Sequence, residues 1–137
     1  ELSLNKDGDE FGSALHSFRR NIDQYGKRFV PIRSQGVIGI KLDRIVEACK
    51  RRINHIKIDV DGNEYLVLLG AKNTLSNLDL KSILIELDRS HPEYQKSIEI
   101  LTSNGFEQSY PNKESREISS KRNSSSLSTV NHIFTRQ

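Results

Sequence analysis

Along the second half of this chain, apolar residues change spacing several times, and each change marks a predicted element. The stretch VIGIKL at 37–42 is rich in β-branched residues and predicts a strand. Asp43 then fits the N-cap of a helix reaching about residue 52, with Ile45, Val46 and Cys49 as its apolar stripe. HIKIDV at 55–60 predicts a second strand, which Asp61-Gly62-Asn63 breaks before Glu64 opens a helix to about residue 75. Leu66, Leu69, Gly70 and Leu75 lie on or near one face of that helix. KSILIEL at 81–87 is a near-continuous apolar run, as in parallel strands buried on both faces. Pro92 suits the first turn of a helix to about residue 103, which Asn104-Gly105 ends. Two closing strands follow, at 106–110 and 130–136. The order β-α-β-α-β-α-β-β predicts an α/β fold. Its sheet is partial and doubly wound, mostly parallel with helices on both faces, and ends in an antiparallel C-terminal strand pair.

The flanking segments are less regular. Residues 1–36 read as an irregular or edge segment: ELSL as a short strand, NKDGDEFGS as turn chemistry, and 14–25 as a weak, polar helix. Residues 111–129, rich in serine and mixed charge, have almost nothing to bury and read as a mobile loop. No internal repeat is visible.

With 137 residues, 34% of them hydrophobic, the chain suits one domain. Its basic clusters, Arg19-Arg20, Lys27-Arg28 and Lys50-Arg51-Arg52, are spread among acids and lack interleaved aromatics for base stacking. With a net charge of only +3 they read as solvated helix faces and loop ends, and nucleic acid is not an expected partner. No apolar run is long enough to cross a bilayer, and no signal peptide is visible at Glu1. The lone cysteine, Cys49, excludes an internal disulfide framework and a cysteine zinc cluster. It reads as a small, partly buried side chain, and a reducing, cytoplasmic setting fits.

Ligands of doubly wound sheets sit outside the carboxyl ends of the strands. Asp59 falls there, at the end of the 55–60 strand, as do Glu86 near the end of the next strand and His91 in the loop after it. Each has a plainer role. Asp59 can cap the following helix, and Asp61 can serve the turn before Gly62. Glu64 in a first helical turn gains from the helix dipole. His91 before a proline can simply be solvated, and Glu86 in an apolar strand can pair with a lysine or an amide. A calcium loop at Asp59-Val60-Asp61-Gly62 fails, because its other ligand and apolar positions hold Lys57, Glu64 and Leu68. His16, His55 and His132 show no ligand spacing, and no Ser-His-Asp or Cys-His arrangement is supported.

IKIDVDGNE followed by LLGA, then SILIELD, a helix ending NGF and a closing NHIFTR resemble the C-terminal half of the FkbM-type methyltransferases. These are S-adenosylmethionine-dependent enzymes of the class I methyltransferase fold, many of which methylate hydroxyl groups. VIGIKLDRIV also resembles that family's strand ending in Leu-Asp before the motif, so the likeness runs from about residue 37 to the C terminus. The family's core reads Lys-x-Asp-x-Glu-Gly-x-Glu. Lys57, Asp59, Gly62 and Glu64 match it, and Asp61 replaces the first Glu with the charge kept.

The resemblance implies a Rossmann-like sheet, S-adenosyl-L-methionine as cofactor and a small-molecule or sugar-like hydroxyl acceptor. Asp59 and Glu86 are the expected catalytic residues, and Asp61, Glu64 and His91 the expected acceptor-side contacts. A divalent ion at Asp59 and its neighbours is the minor alternative. The glycine-rich loop and acidic strand tip that hold the family's cofactor are not found, so residues 37–137 are expected to be the later part of a methyltransferase domain whose cofactor half is missing. The competing expectation is a non-catalytic α/β remnant or partner-binding module that pairs through an exposed sheet edge.

Overall fold

A computed structural model of the chain describes residues 2–4, 17–18, 21, 28–31, 33–109 and 129–137. Three short strands, β1 (Leu2–Leu4), β2 (Ser17–Phe18) and β3 (Arg33–Gln35), form a small antiparallel sheet with β1 in the middle. The strand expected at ELSL is present. Ser17 and Phe18 are in a strand where a weak helix was expected, because β1 offers them a backbone partner. The turn expected at 5–13 lies outside the described residues, as does the loop expected at 111–129 except for Thr129, which opens a strand because its neighbour in the sheet supplies a backbone partner.

The main body runs α1 (Leu42–Cys49), β4 (His55–Ile58), α2 (Glu64–Leu69), α3 (Lys72–Ser76), β5 (Ser82–Asp88), α4 (Tyr94–Ser103), β6 (Glu107–Ser109) and β7 (Thr129–Thr135). Its sheet has the order β4-β5-β7-β6. β4 and β5 pair in parallel, and β7 lies antiparallel between β5 and β6. Three strands therefore share one direction and the C-terminal strand opposes them, as the block order predicted.

One face of β5 contributes Ile83, Ile85 and Leu87 to a single apolar core with Ile58 and Phe134 from its neighbours in the sheet. Leu68, Leu75 and Leu101 from α2, α3 and α4 close over that face. The residues of β5 that point the other way, Ser82, Leu84 and Glu86, are only half-buried. Helices on both faces were expected; among the described residues the buried core lies on one.

Helix α4 follows its apolar spacing closely. Tyr94, Ser97, Ile98 and Leu101 recur at one face, and Ser97 and Leu101 are buried. It ends where Asn104-Gly105 predicted. Gly105 has φ +80°, its amide donates to the Thr102 carbonyl at 3.0 Å, and the Phe106 amide donates to the Leu101 carbonyl at 3.1 Å. That pair of bonds is the Schellman arrangement, with Phe106 buried against the helix it terminates.

Several expectations are corrected. Residues 37–42 are not a strand: 36–41 belong to no helix or strand, Leu42 opens α1, and Ile38 is 90% exposed. β-branched composition favours a strand only where a neighbour supplies hydrogen bonds and a surface to pack on. The single helix expected from Glu64 to residue 75 is two short ones, divided at Gly70-Ala71. Gly70 packs against Lys41, whose Cα would lie 3.5 Å from an added Cβ. Helix α1 stops at Cys49, with Lys50 left-handed at φ 50°, and buries none of its residues. Cys49 is exposed instead of partly buried.

Asp43 does not cap its own helix. Its carboxylate accepts from the Asn73 amide at 3.1 Å, the Thr74 amide at 2.8 Å and the Thr74 hydroxyl at 2.7 Å, so it caps α3 from thirty residues away. Burial pushes this carboxyl up, but the Thr74 and Asn73 hydrogen bonds outweigh that and hold it below its ordinary value.

Arg136, just past β7, ties the helix ends together. Nη1 donates to the carbonyls of Leu75 at 2.9 Å and Asn104 at 3.0 Å, and Nη2 to those of Asn77 and Leu80. The guanidinium lies 4.5 Å from the Phe106 ring centroid. Arg136→Met is expected to lower stability by about 2–4 kcal/mol in urea unfolding, since it strands several carbonyls while keeping most of the stem's packing. Asp43→Ala is expected to cost about 1–2 kcal/mol in the same measurement.

Candidate active site

The site is built where the parallel pair β4 and β5 ends. Ile58 is opposite Ile85, so one further residue along each strand brings Asp59 beside Glu86. The chain then reverses sharply. Asp61 (φ +49°) and Gly62 (φ +86°) are both left-handed, and the Asn63 amide returns to the Val60 carbonyl at 3.3 Å. Positive φ at both central residues is the type I′ pattern, which Asp-Gly favours. The departure from the family motif at Asp61 thus falls where a short side chain suits the backbone better than Glu.

Glu64, only 7% exposed, reaches back into this turn. Its Oε1 accepts from the Gly62 amide at 3.1 Å and the Val60 amide at 3.4 Å. A first-turn glutamate satisfying donors just ahead of its helix is capping-box chemistry, and it fixes where Asp59 and Asp61 stand.

Asp59 Oδ2 lies 2.9 Å from Lys57 Nζ, and its charge acts on Glu86 from the neighbouring strand. Glu86 is pushed above its ordinary value, first by burial, then by the negative charges of Asp59, Glu64 and Asp61, and by the hydrogen bond to Asp59. Glu64, Glu86 and His91 share a cavity of about 20 Å³ with Tyr94, Ser97 and Thr129. His91 is partly fixed: its Nδ1 accepts from the Glu93 amide at 3.2 Å, and its own amide donates to the Asp88 carbonyl at 3.0 Å. The structure therefore gathers the predicted residues at one sheet edge, with Asp59 beside the cavity wall and not in it.

Asp88 and His132 carry polar chemistry that sequence reading missed. Asp88 is buried at the end of β5, where its Oδ1 accepts from the Ser90 amide at 2.7 Å and hydroxyl at 2.6 Å. The D-x-S spacing was a readable turn signal. His132 is 2% exposed among Tyr94 and Phe134. The Gln108 amide nitrogen faces its Nδ1 at 2.7 Å, which leaves the proton on the buried and unpartnered Nε2. Nothing in its spacing marked it, because its surroundings come from β6, β7 and α4 together.

A four-stranded sheet with a helix-covered core defines a mixed α/β domain, and its strand-end carboxylates gather at one sheet edge. The family description "Methyltransferase FkbM domain" matches residues 3–108, well over half the chain, and the chain belongs to that methyltransferase family. The matched span includes the N-terminal segment, where the sequence showed little likeness, and it ends before β7. No curated protein and no solved structure matches the chain. No helix among the described residues is long and apolar enough to cross a membrane. Among the same residues no three His, Cys, Asp or Glu side chains are grouped to hold a metal ion.

Burial pushes the His132 imidazole down to about 4, and the charge of Arg89 adds to this. Between pH 6.5 and 4 the unfolded chain binds a proton that the folded chain does not. The neutral ring's contribution is therefore fully present above pH 6.5 and is lost as pH falls towards 4, by up to about 3 kcal/mol. Urea midpoints between pH 4 and 7 are expected to fall more steeply with acid in the native chain than in His132→Gln.

Proposed function

We propose that this chain supplies the acceptor side of an S-adenosylmethionine-dependent methyltransferase acting on a hydroxyl of a small or sugar-like molecule. The observation that supports this most directly is the Asp59–Glu86 pair at the carboxyl ends of two parallel strands, in a chain of the FkbM family. A hydroxyl oxygen becomes a competent nucleophile when a carboxylate takes its proton during attack, and Asp59 is assigned that role. Glu86 is the second catalytic carboxyl beside it, and Asp61, Glu64 and His91 shape the acceptor's surroundings. A cytoplasmic setting and a Rossmann-like parent sheet are part of the same reading.

The cavity at this sheet edge does not by itself fit the cofactor. A cavity of about 20 Å³ has room for roughly one water, whereas small-molecule sites run to about 300–1,000 Å³. The amides of Gly62, in the strand–turn–helix at this edge, and of Val60 are already taken by Glu64. In this reading the methyl donor is held outside the described residues, and the chain acts as part of a larger catalytic domain.

A second reading, a non-catalytic remnant or partner-binding module, is favoured by a separate observation. β4 is at the edge of its sheet, and no strand among the described residues pairs with its outer side. Cofactor binding separates the two. Titration of S-adenosylmethionine into a protein that joins this chain to a preceding segment is expected to show binding, and into the chain alone none. In the joined protein, Asp59→Asn is expected to lower transfer of radiolabelled methyl to a sugar panel by about 10²–10⁴-fold, with cofactor affinity and melting temperature held. Near-normal transfer by that variant removes Asp59 from the mechanism, and absence of cofactor binding gives the module reading the lead.

A further inference from the structure

Residues 36–52 leave a row of aliphatic side chains uncovered. Val37, Ile38, Ile40 and Ile45 are all exposed, Ile38 to 90% and Ile40 to 62%. Helix α1 rests on the body through Leu42, and Val46 is half-buried, while Ile45, Ala48 and Cys49 are exposed. The segment is nonetheless fixed to the body. The Asp43 amide donates to the Gly70 carbonyl at 3.1 Å, the Asp43 carboxylate caps α3, and the Lys41 backbone lies against Gly70.

Five cations stand in the same stretch, Lys41, Arg44, Lys50, Arg51 and Arg52, against two acids. Both acids are engaged, Asp43 with α3 and Glu47 with Arg44 at 2.9 Å. Lys50 and Arg51 have no ion-pair partner among the described residues. Cations alone suit a solvated face. Exposed aliphatic residues beside unpaired cations suit an apolar phase with anions at its boundary.

We propose that residues 36–52 form a surface that docks on an anionic lipid bilayer, with Ile38, Ile40 and Ile45 entering among the head groups and Lys50 and Arg51 meeting lipid phosphates. Shape favours lipid over a protein partner. The groove beside α1 is mostly polar, with Lys41, Asp43, Arg44 and Glu47 in its lining, and none of the four exposed aliphatic residues lines it. Ile38 projects from the chain instead of facing a cleft, as suits a deformable surface. The backbone of 36–41, which belongs to no strand, stays at head-group level where water reaches its amides.

The distribution of charge fits the same orientation. Lys50, Arg51 and Arg52 lead into the start of β4, whereas Asp59 and Glu86 stand at the far end of the β4–β5 pair. An anionic surface that attracts the first end leaves the acidic end open to solvent. The inference does not depend on the methyl-transfer reading.

The test is co-sedimentation of the full chain with phosphatidylcholine vesicles, prepared with and without phosphatidylglycerol. Binding is expected only where phosphatidylglycerol is present, and it is expected to weaken as salt is raised. Lys50→Glu combined with Arg51→Glu is expected to lower the partition coefficient by about tenfold or more. Ile38→Ser combined with Ile40→Ser, which leaves the charge unchanged, is expected to lower it by about tenfold. All four side chains are exposed, so melting temperatures are expected to hold in both variants. Absence of binding to phosphatidylglycerol vesicles overturns the proposal. So does full binding by the Ile38 and Ile40 variant, which would be charge attraction alone. Self-association in the ultracentrifuge that vesicles do not compete with, and that the same variant abolishes, also overturns it and gives this face to a second copy of the chain.

Discussion

Arg136 lies at the end of the last strand, and its guanidinium is directed at carbonyl oxygens near the ends of α3 and α4. Helix C-termini leave carbonyls without intrahelical partners, and in a small domain several such ends converge on the same region. A planar, permanently charged group with five donors can satisfy a cluster of them at once and also lie on an aromatic face. Phe106 is that face, and it is also the buried residue that completes the end of α4. β7 thus closes the sheet between β5 and β6 and, through Arg136, anchors the helices that cover it.

The opposite end of the sheet is organised by acids. β5 is paired on both sides, which fixes Glu86, while β4 is paired only through β5. Asp59 is therefore placed by the parallel register and by the turn that Glu64 ties back to its own helix start. Four carboxyls near one another repel, and the structure answers with a buried hydrogen-bonded Glu64, a cation beside Asp59 and a raised Glu86. These acids stand at the strand edge where α/β domains bind ligands, in a chain of a methyltransferase family.

The elements best anticipated from the residues have local causes. β5 is a continuous apolar run, α4 keeps its spacing from Tyr94 to Leu101, and Asn104-Gly105 supplies the left-handed residue that ends it. The acidic edge was legible for the same reason, since a strand ending in Asp before Asp-Gly and a helix-opening Glu places its side chains by short-range geometry. The misread segments depend on distant partners. VIGIKL has strand composition but no described neighbour to pair with, and the stripe of α1 is left without a buried residue.

The sequence by itself determined the succession of strands and helices after residue 50 apart from the break at Gly70-Ala71, the turn at Asp61-Gly62, the family, and the acids that gather at the sheet edge. Periodicity, positive-φ preference and motif spacing are properties of neighbouring residues, and they can be read without a fold. Only the tertiary structure decided that Asp43 caps a helix other than its own, that His132 is buried with an unpartnered nitrogen, and that Arg136 joins two helix ends. It also decided that Lys57 stands 2.9 Å from Asp59 Oδ2 at the end of the strand that pairs with β5. Each of those depends on hydrogen bonds and charges brought together from separate elements, and the strength of such contacts is set by burial and distance, which no local pattern encodes.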